Sequence, residues 1–302
     1  MWGQTCPPAS GVALQVLGSG GPIADDARAS SAYLVWHDGR ARVLVDIGGG
    51  AVLRYAESGA QFTDLDAVLL SHLHADHSAD LPALLKSGYF SHRERPLVLA
   101  GPAAGGNARV SFPGMDDFVE ALLNAERGAY AYLDGYLDGS DGMPELRVHT
   151  LDSRVGSAAS GEVELAIQAL DGIDRELTIT AVAVPHGPVP ALAWRVEVAG
   201  RSLVFAGDQN GMRGDLVRLA QGADLLVLHM PIGQKAGSAA RALHAGPMVL
   251  GKTAARAQVG QLVLSHFMAR SLSALADNVA AVAASYEGPI TVADDLACLP
   301  LH

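Results

Sequence analysis

Within six residues, His72-Leu73-His74-Ala75-Asp76-His77, the chain gathers three imidazoles and a carboxylate, directly behind Val68-Leu69-Leu70 and Ser71. The apolar run reads as a buried strand, and polar groups this dense can follow it only where the chain leaves the sheet. In an extended segment His72 and His74, two residues apart, point to the same side, while Asp76 and His77 fall on the turn that follows. Neutral imidazole with carboxylate is the donor set for Zn²⁺ or another first-row dication, and no thiol lies nearby to suggest a structural cysteine site. A lone histidine would carry little weight. Four donors at one strand end do, because burying so many polar groups without partners is expensive.

One strand end does not complete a catalytic site, and the pattern recurs. Val182-Ala183-Val184-Pro185-His186 sets His186 just past an apolar run, Leu203-Val204-Phe205-Ala206-Gly207-Asp208 does the same for Asp208, and Leu262-Val263-Leu264-Ser265-His266 for His266. Together they supply the two further histidines and the carboxylate that a two-metal site needs. The intervening sequence reads as short β runs joined by glycine-rich turns, at 12–17, 32–37 and 41–46, then 145–151, 163–170, 177–184, 192–198 and 202–205. A hairpin turn is expected at Asp38-Gly39 and a helix from Gly48-Gly49-Gly50 to about residue 57. A second helix, over about 80–86, follows the histidine motif, with Asp80 as its first-turn carboxylate or as an acceptor for a ligand. The region 101–142 is looser, with a helix at 116–126 and a Tyr/Gly/Asp-rich stretch that could shape a pocket. Gly18-Ser19-Gly20-Gly21-Pro22 lacks the spacing and the lysine of a phosphate loop, so it reads as a turn at the rim of the site.

Composition bounds the rest. At 302 residues and 49% hydrophobic, the chain can bury a large core. The net charge of −11 leaves no basic footprint and weighs against nucleic acid as partner, leaving a small-molecule substrate as the expectation. No apolar run reaches the ~18 residues of a membrane span. Cys6 and Cys298 stand near opposite ends without a metal-clip spacing; free buried thiols are expected, with a disulfide joining the termini as the alternative. The polar opening from Met1 to Ser10 resembles the leader remnant of an exported protein, favouring the periplasm or secretion over the cytoplasm.

These motifs resemble the metallo-β-lactamase superfamily, and within it the ribonuclease Z and phosphodiesterase-related branch. The resemblance runs from Leu17-Gly18-Ser19-Gly20-Gly21-Pro22 with Arg28 and Ser31, through 71–77, Pro185-His186, Gly207-Asp208, Leu228-His229 and His244, to Ser265-His266-Phe267. It implies an α/β fold, a four-layer αβ/βα sandwich in a single domain over 1–302, whose two β-rich halves share a metal-bearing rim. It also implies two divalent ions, Zn²⁺ by expectation, with Mn²⁺ or Fe²⁺ compatible with the same ligands. His72, His74 and His186 would hold one ion and Asp76, His77 and His266 the other, with Asp208 between them. Asp76 and His244 are the candidate catalytic residues, His244 matching the branch's extra histidine that contacts the phosphate or protonates the leaving group. Asp294 and Asp295 read as helix-capping or solvated carboxylates.

The implied activity is hydrolysis through a hydroxide shared by the two metals, with a small phosphodiester as the leading substrate. A tRNA 3′-processing endonuclease and an aryl sulfatase, lactonase or β-lactamase are the alternatives, and a non-catalytic metal module is the reading from another class. Three departures from the ribonuclease Z pattern favour the small substrate. Met230-Pro231 stands where the family has a glutamate partner for its extra histidine, Asp80 stands where it has glycine, and no Lys/Arg- and Gly-rich arm lies between Leu97 and Leu151. A homodimer is left open by the same resemblance.

Overall fold

The structure is a computed structural model that describes Cys6 and residues 10–154 and 168–301. In chain order the first half contains β1 (Val12–Gly18), β2 (Ala32–His37), β3 (Arg40–Val45), α1 (Ala51–Glu57), β4 (Ala67–Leu69), α2 (Ala75–Ser78) and α3 (Leu81–Tyr89). It continues with β5 (Leu97–Pro102), the small hairpin β6 (Gly105–Gly106) and β7 (Ser111–Phe112), α4 (Met115–Leu123) and β8 (Leu146–Leu151). The second half holds β9 (Gln168–Ala169), β10 (Leu177–Ala183), β11 (Leu192–Val198), β12 (Arg201–Phe205), α5 (Asp215–Leu219) and β13 (Leu225–His229). Then come α6 (Ser238–Leu243), α7 (Pro247–Ala257), β14 (Gln261–Ser265), α8 (Ala269–Leu272), α9 (Leu275–Ala283), β15 (Ile290–Val292) and β16 (Cys298–Leu301). The strand expected over 163–170 lies largely outside the described residues, where only its end is seen as β9.

Two seven-stranded sheets form, in the orders β16-β1-β2-β3-β4-β5-β8 and β15-β14-β13-β12-β11-β10-β9. Each combines antiparallel and parallel strands, the parallel ones being β3-β4-β5-β8 and β12-β13-β14-β15. Strands alternate with period two, and both faces are apolar because both are covered. On β3, Val43 and Val45 point between the sheets, where they meet the layer of Leu69, Trp194, Leu203 and Val227. Leu44 between them points outward into a second apolar layer with Tyr55, Leu84 and Val119 from α1, α3 and α4. A third layer packs Leu219, Leu250 and Val282 of α5, α7 and α9 on the other sheet. The result is the four-layer αβ/βα sandwich that the resemblance implies. At Asp38-Gly39 the φ angles of +49° and +75° are those of a type I′ turn, whose twist matches the strands it joins.

At the amino-terminal ends of the parallel strands, Arg42 is 3% exposed and spans the sheets. Its guanidinium donates to Asp66 ahead of β4 and, at 3.0 Å, to Glu176 ahead of β10; Asp174 lies 3.5 Å away and Arg95 also pairs with Asp66. The expectation of free thiols is corrected: Cys6 and Cys298 are joined as a disulfide, tying the start of the chain to edge strand β16. Pairing with β1 carries β16 to the position where Cys298 meets Cys6, a closeness that sequence separation hides.

A candidate metal centre at the strand ends

Every candidate ligand stands just beyond, or at the last residue of, a strand. The segment 71–77 follows β4, His186 follows β10, Asp208 follows β12 and His266 follows β14, while His229 ends β13 and Asp46 follows β3. These are carboxyl ends on one rim, where open α/β sheets place their sites. Two of the residues pay a conformational cost there. Asp46 and His266 both adopt φ near +57°, a left-handed region costing about 1–3 kcal/mol for a non-glycine residue unless its surroundings fix it.

The predicted residues converge. His72, His74 and His186 offer ring nitrogens close enough to share one metal ion; His77, His229 and His266, with a carboxylate oxygen of Asp208, form a second such group, and His186, Asp208 and His244 a third that overlaps both. Asp208 joins the halves: its Oδ2 lies 3.6 Å from His186 Nε2 and 3.6 Å from His244 Nδ1, and its Oδ1 lies 3.4 Å from His266 Nε2. Asp76 Oδ2 sits 3.2 Å from His266 Nε2 and 3.4 Å from His77 Nε2. Asp80 accepts the N–H of Val52 at 3.0 Å, anchoring the start of α1.

Hydrogen bonds behind the ligands fix which nitrogen faces inward. His77 Nδ1–H donates to Asp46 Oδ2 at 2.8 Å, and His186 Nδ1–H donates to the carbonyl of Leu243 at 2.9 Å, so each presents an Nε2 lone pair. Asp46 also accepts the N–H and hydroxyl of Ser71 at 2.6 and 2.8 Å, clamping the first turn of the motif. His229 Nδ1–H donates to Asp208 Oδ1 at 2.8 Å, and the Tyr33 hydroxyl lies 3.0 Å from its Nε2. Asp46 and His229 are functional residues that the sequence reading leaves without a role. Both carry the signal that marks the others, a polar residue closing an apolar strand.

Burial would raise the carboxyls of Asp76 and Asp208, but the imidazoles of His77 and His266 outweigh it and hold both well below the usual carboxylate range. Burial, assisted by neighbouring imidazoles, pushes His72 and His74 down and takes His229 and His244 to about 4. His77 goes the other way, burial being overcome by Asp46 and Asp76. His72, His74, His229 and His244 are thus neutral beside the ionised Asp76 and Asp208, as a dication requires, whereas His77 would give up a proton on binding one. Within the cluster, the buried Nε2 of His186 and Nδ1 of His244 have no hydrogen-bond partner. Lone pairs aimed at one another, with orphaned nitrogens among them, fit metal ions and little else. Next to His186 a cavity of about 500 Å³ opens between the β6–β7 hairpin and the loop 186–190, with Asn107, Ser111 and Arg154 among its walls. That volume is in the range of small-ligand sites.

A family model described as a beta-lactamase superfamily domain matches residues 41–267, from β3 to the residue after His266. The chain belongs to the metallo-β-lactamase superfamily. Within this superfamily of hydrolases it falls in the ribonuclease Z-like branch. It is 32% identical to the Ribonuclease Z of Mycolicibacterium paratuberculosis over 94% of this chain and 96% of that protein. The Ribonuclease Z of Mycobacterium marinum is 31% identical, with 96% and 99% covered. Among solved structures, human tRNase Z, short form, superposes with a TM-score of 0.71 at 21% identity, covering 96% of this chain and 99% of that one. These relatives correct the expectation that acidity weighs against nucleic acid, since proteins alike over nearly the whole chain are named as ribonucleases. A net charge averages the whole surface, whereas phosphate binding is decided where the metals and a few side chains sit.

Proposed function

We propose that this superfamily hydrolase is a two-metal phosphodiesterase that cleaves RNA, with the 3′-extended end of a tRNA precursor as the substrate to test first. The observation that carries the reading is similarity to Ribonuclease Z across nearly the whole chain, with the His/Asp donors of the rim inside the matched region. In this reading His72, His74 and His186 hold one dication, Asp76, His77 and His266 the other, and Asp208 lies between. Zn²⁺ suits the set. Two such ions supply charge that polarises a phosphoryl oxygen and lowers the pKa of water from 15.7 toward ~7. The chain's own residues do the rest. Asp46 and the Leu243 carbonyl orient His77 and His186, and His229 holds Asp208. The cavity beside His186 receives nucleotide groups next to the scissile bond. His244, at the end of α6, hydrogen-bonds a phosphate oxygen and passes a proton to the departing oxygen. In the metal-free protein, burial, aided by the neighbouring imidazoles, pushes its pKa down to about 4.

A second reading, a small phosphodiester met in an oxidising compartment, is favoured by the Cys6–Cys298 disulfide and by Met230 in place of the family's glutamate. One comparison separates the two. Metal-loaded wild type and Asp208→Ala are assayed on a 3′-extended tRNA precursor and on bis(p-nitrophenyl) phosphate. RNA cleavage by wild type that Asp208→Ala lacks supports the first reading, and turnover of the aryl diester with RNA left intact replaces it by the second. Inertness toward both, in protein holding two metals, sinks phosphodiester hydrolysis altogether.

A further inference from the structure

We infer that Asp295 is a positioning residue for His266, acting through the Ser19–Gly21 turn, and that its carboxylate sets the affinity of the metal position His266 serves; this rests on the two-metal reading above. The sequence reading sets Asp294 and Asp295 together, and the structure separates them. The side chain of Asp294 is 77% exposed and, among the described residues, pairs with Arg28 Nη2 at 2.7 Å. That of Asp295 is 12% exposed and has donors on both oxygens. Oδ1 accepts the Ser19 N–H at 3.0 Å and the Ser19 hydroxyl at 2.8 Å; Oδ2 accepts the Ala29 N–H at 2.9 Å and Arg54 Nε at 3.2 Å. Arg28 Nη1 completes the knot by donating to Ser19 Oγ at 2.6 Å and to the Ala293 carbonyl at 3.0 Å. One carboxylate thus gathers the end of β1, the loop before β2, and α1.

The turn it holds is the turn that grips the ligand. The Ser19 carbonyl accepts the N–H of Phe267 at 2.8 Å, and Gly21 N–H donates to the Phe267 carbonyl at 2.8 Å. Both ends of the residue after His266 are therefore fixed. His266 itself stands in the left-handed region, which a histidine keeps only while its neighbours dictate it. Gly21 also sits against the ring: a Cβ there would lie 3.0 Å from His266 Cε1. If Asp295 loses an acceptor oxygen, Ser19 is released, the grip on Phe267 slackens, and the imidazole drifts from Asp76 and Asp208. Partners at one remove from a metal commonly alter its affinity by 10–100-fold.

The test is a competitive chelator titration of the metal-free protein with Zn²⁺, counting equivalents and their affinities for wild type, Asp295→Asn, Ser19→Ala and Asp294→Asn. Asp295→Asn, which lies further from the metal than a ligand's own hydrogen-bond partner, is expected to weaken one equivalent by about 10-fold, the lower end of the range for such partners, and spare the other. Ser19→Ala, which deletes only the hydroxyl, should weaken the same equivalent less, and Asp294→Asn should match wild type. If Asp295→Asn does not fold, Ser19→Ala carries the test. Two equivalents of unchanged affinity in both Asp295→Asn and Ser19→Ala overturn the inference, as does equal weakening of both equivalents, the mark of a merely structural role. A wild type that takes up only one equivalent overturns the two-metal reading and the inference with it.

Discussion

At the scale of single residues the account turns on close approach and proton placement. Gly48 lies under the metal motif, where a Cβ would stand 2.1 Å from the backbone oxygen of Asp76 and 2.6 Å from Ser30 Cβ. Gly48→Ala should therefore displace the motif's second turn and abolish uptake of at least one metal ion, measured by metal analysis of the dialysed protein; full retention would contradict the packing. The metal-free protein should also be sensitive to acid. His229 and His244 carry folded-state pKa values of about 4 against 6.5 when unfolded. Between those values the unfolded chain binds protons that the folded one refuses, so their contribution is complete above pH 6.5 and lost as pH falls toward 4. His77, raised by Asp46, works in the opposite sense, complete below pH 6.5 and fading only as pH climbs through its elevated pKa. Thermal melts should show Tm falling from pH 6.5 to 4, and a flat or rising Tm would contradict the assignment. The histidine motif, His186, Asp208 and His266 were legible because each closes an apolar run. Asp46 and His229 were left without a role because a single polar residue at a strand end becomes informative only once the strands are side by side.

Secondary-structure elements carry the next part of the argument. Five parallel strands and β10 bring their chain-distant ends to one rim, and at the opposite ends Arg42 ties the sheets together through Asp66 and Glu176. Arg42→Ala leaves Asp66 buried with only the half-exposed Arg95 as partner, so unfolding in urea should report a loss of about 3 kcal/mol. A loss under 1 kcal/mol would mean that the network is incidental. Most strands were readable from alternation and from turn residues, Asp38-Gly39 most directly. The β6–β7 hairpin was not, since two-residue strands have no periodicity to detect. β16 was hidden by Pro300, which argues against a strand in general but is tolerated on an edge that lacks a second neighbour. The 3₁₀ run over Ala131–Leu137 emerged from a stretch whose tyrosines and glycines favour no single period.

For the molecule as a whole, the disulfide closes nearly the entire chain into a loop, its cysteines standing 292 positions apart in sequence. Reduction, or Cys298→Ser, should lower stability by about 2–5 kcal/mol in parallel urea titrations, and identical midpoints would show that the packed termini already supply the constraint. Whole-chain properties were also where the sequence misled, for a net charge of −11 argued against the nucleic-acid chemistry that the relatives' names point to. Such a sum cannot register metal charge that the chain does not encode. The central claim, that two metals on this rim act together on an RNA phosphodiester, is tested most directly by titrating Zn²⁺ into metal-free protein and following cleavage of a 3′-extended tRNA precursor at each step. The account predicts a rate that completes its rise only at two equivalents and falls at least ~100-fold in Asp208→Ala. Saturation at one equivalent, or intact RNA at two, would contradict it.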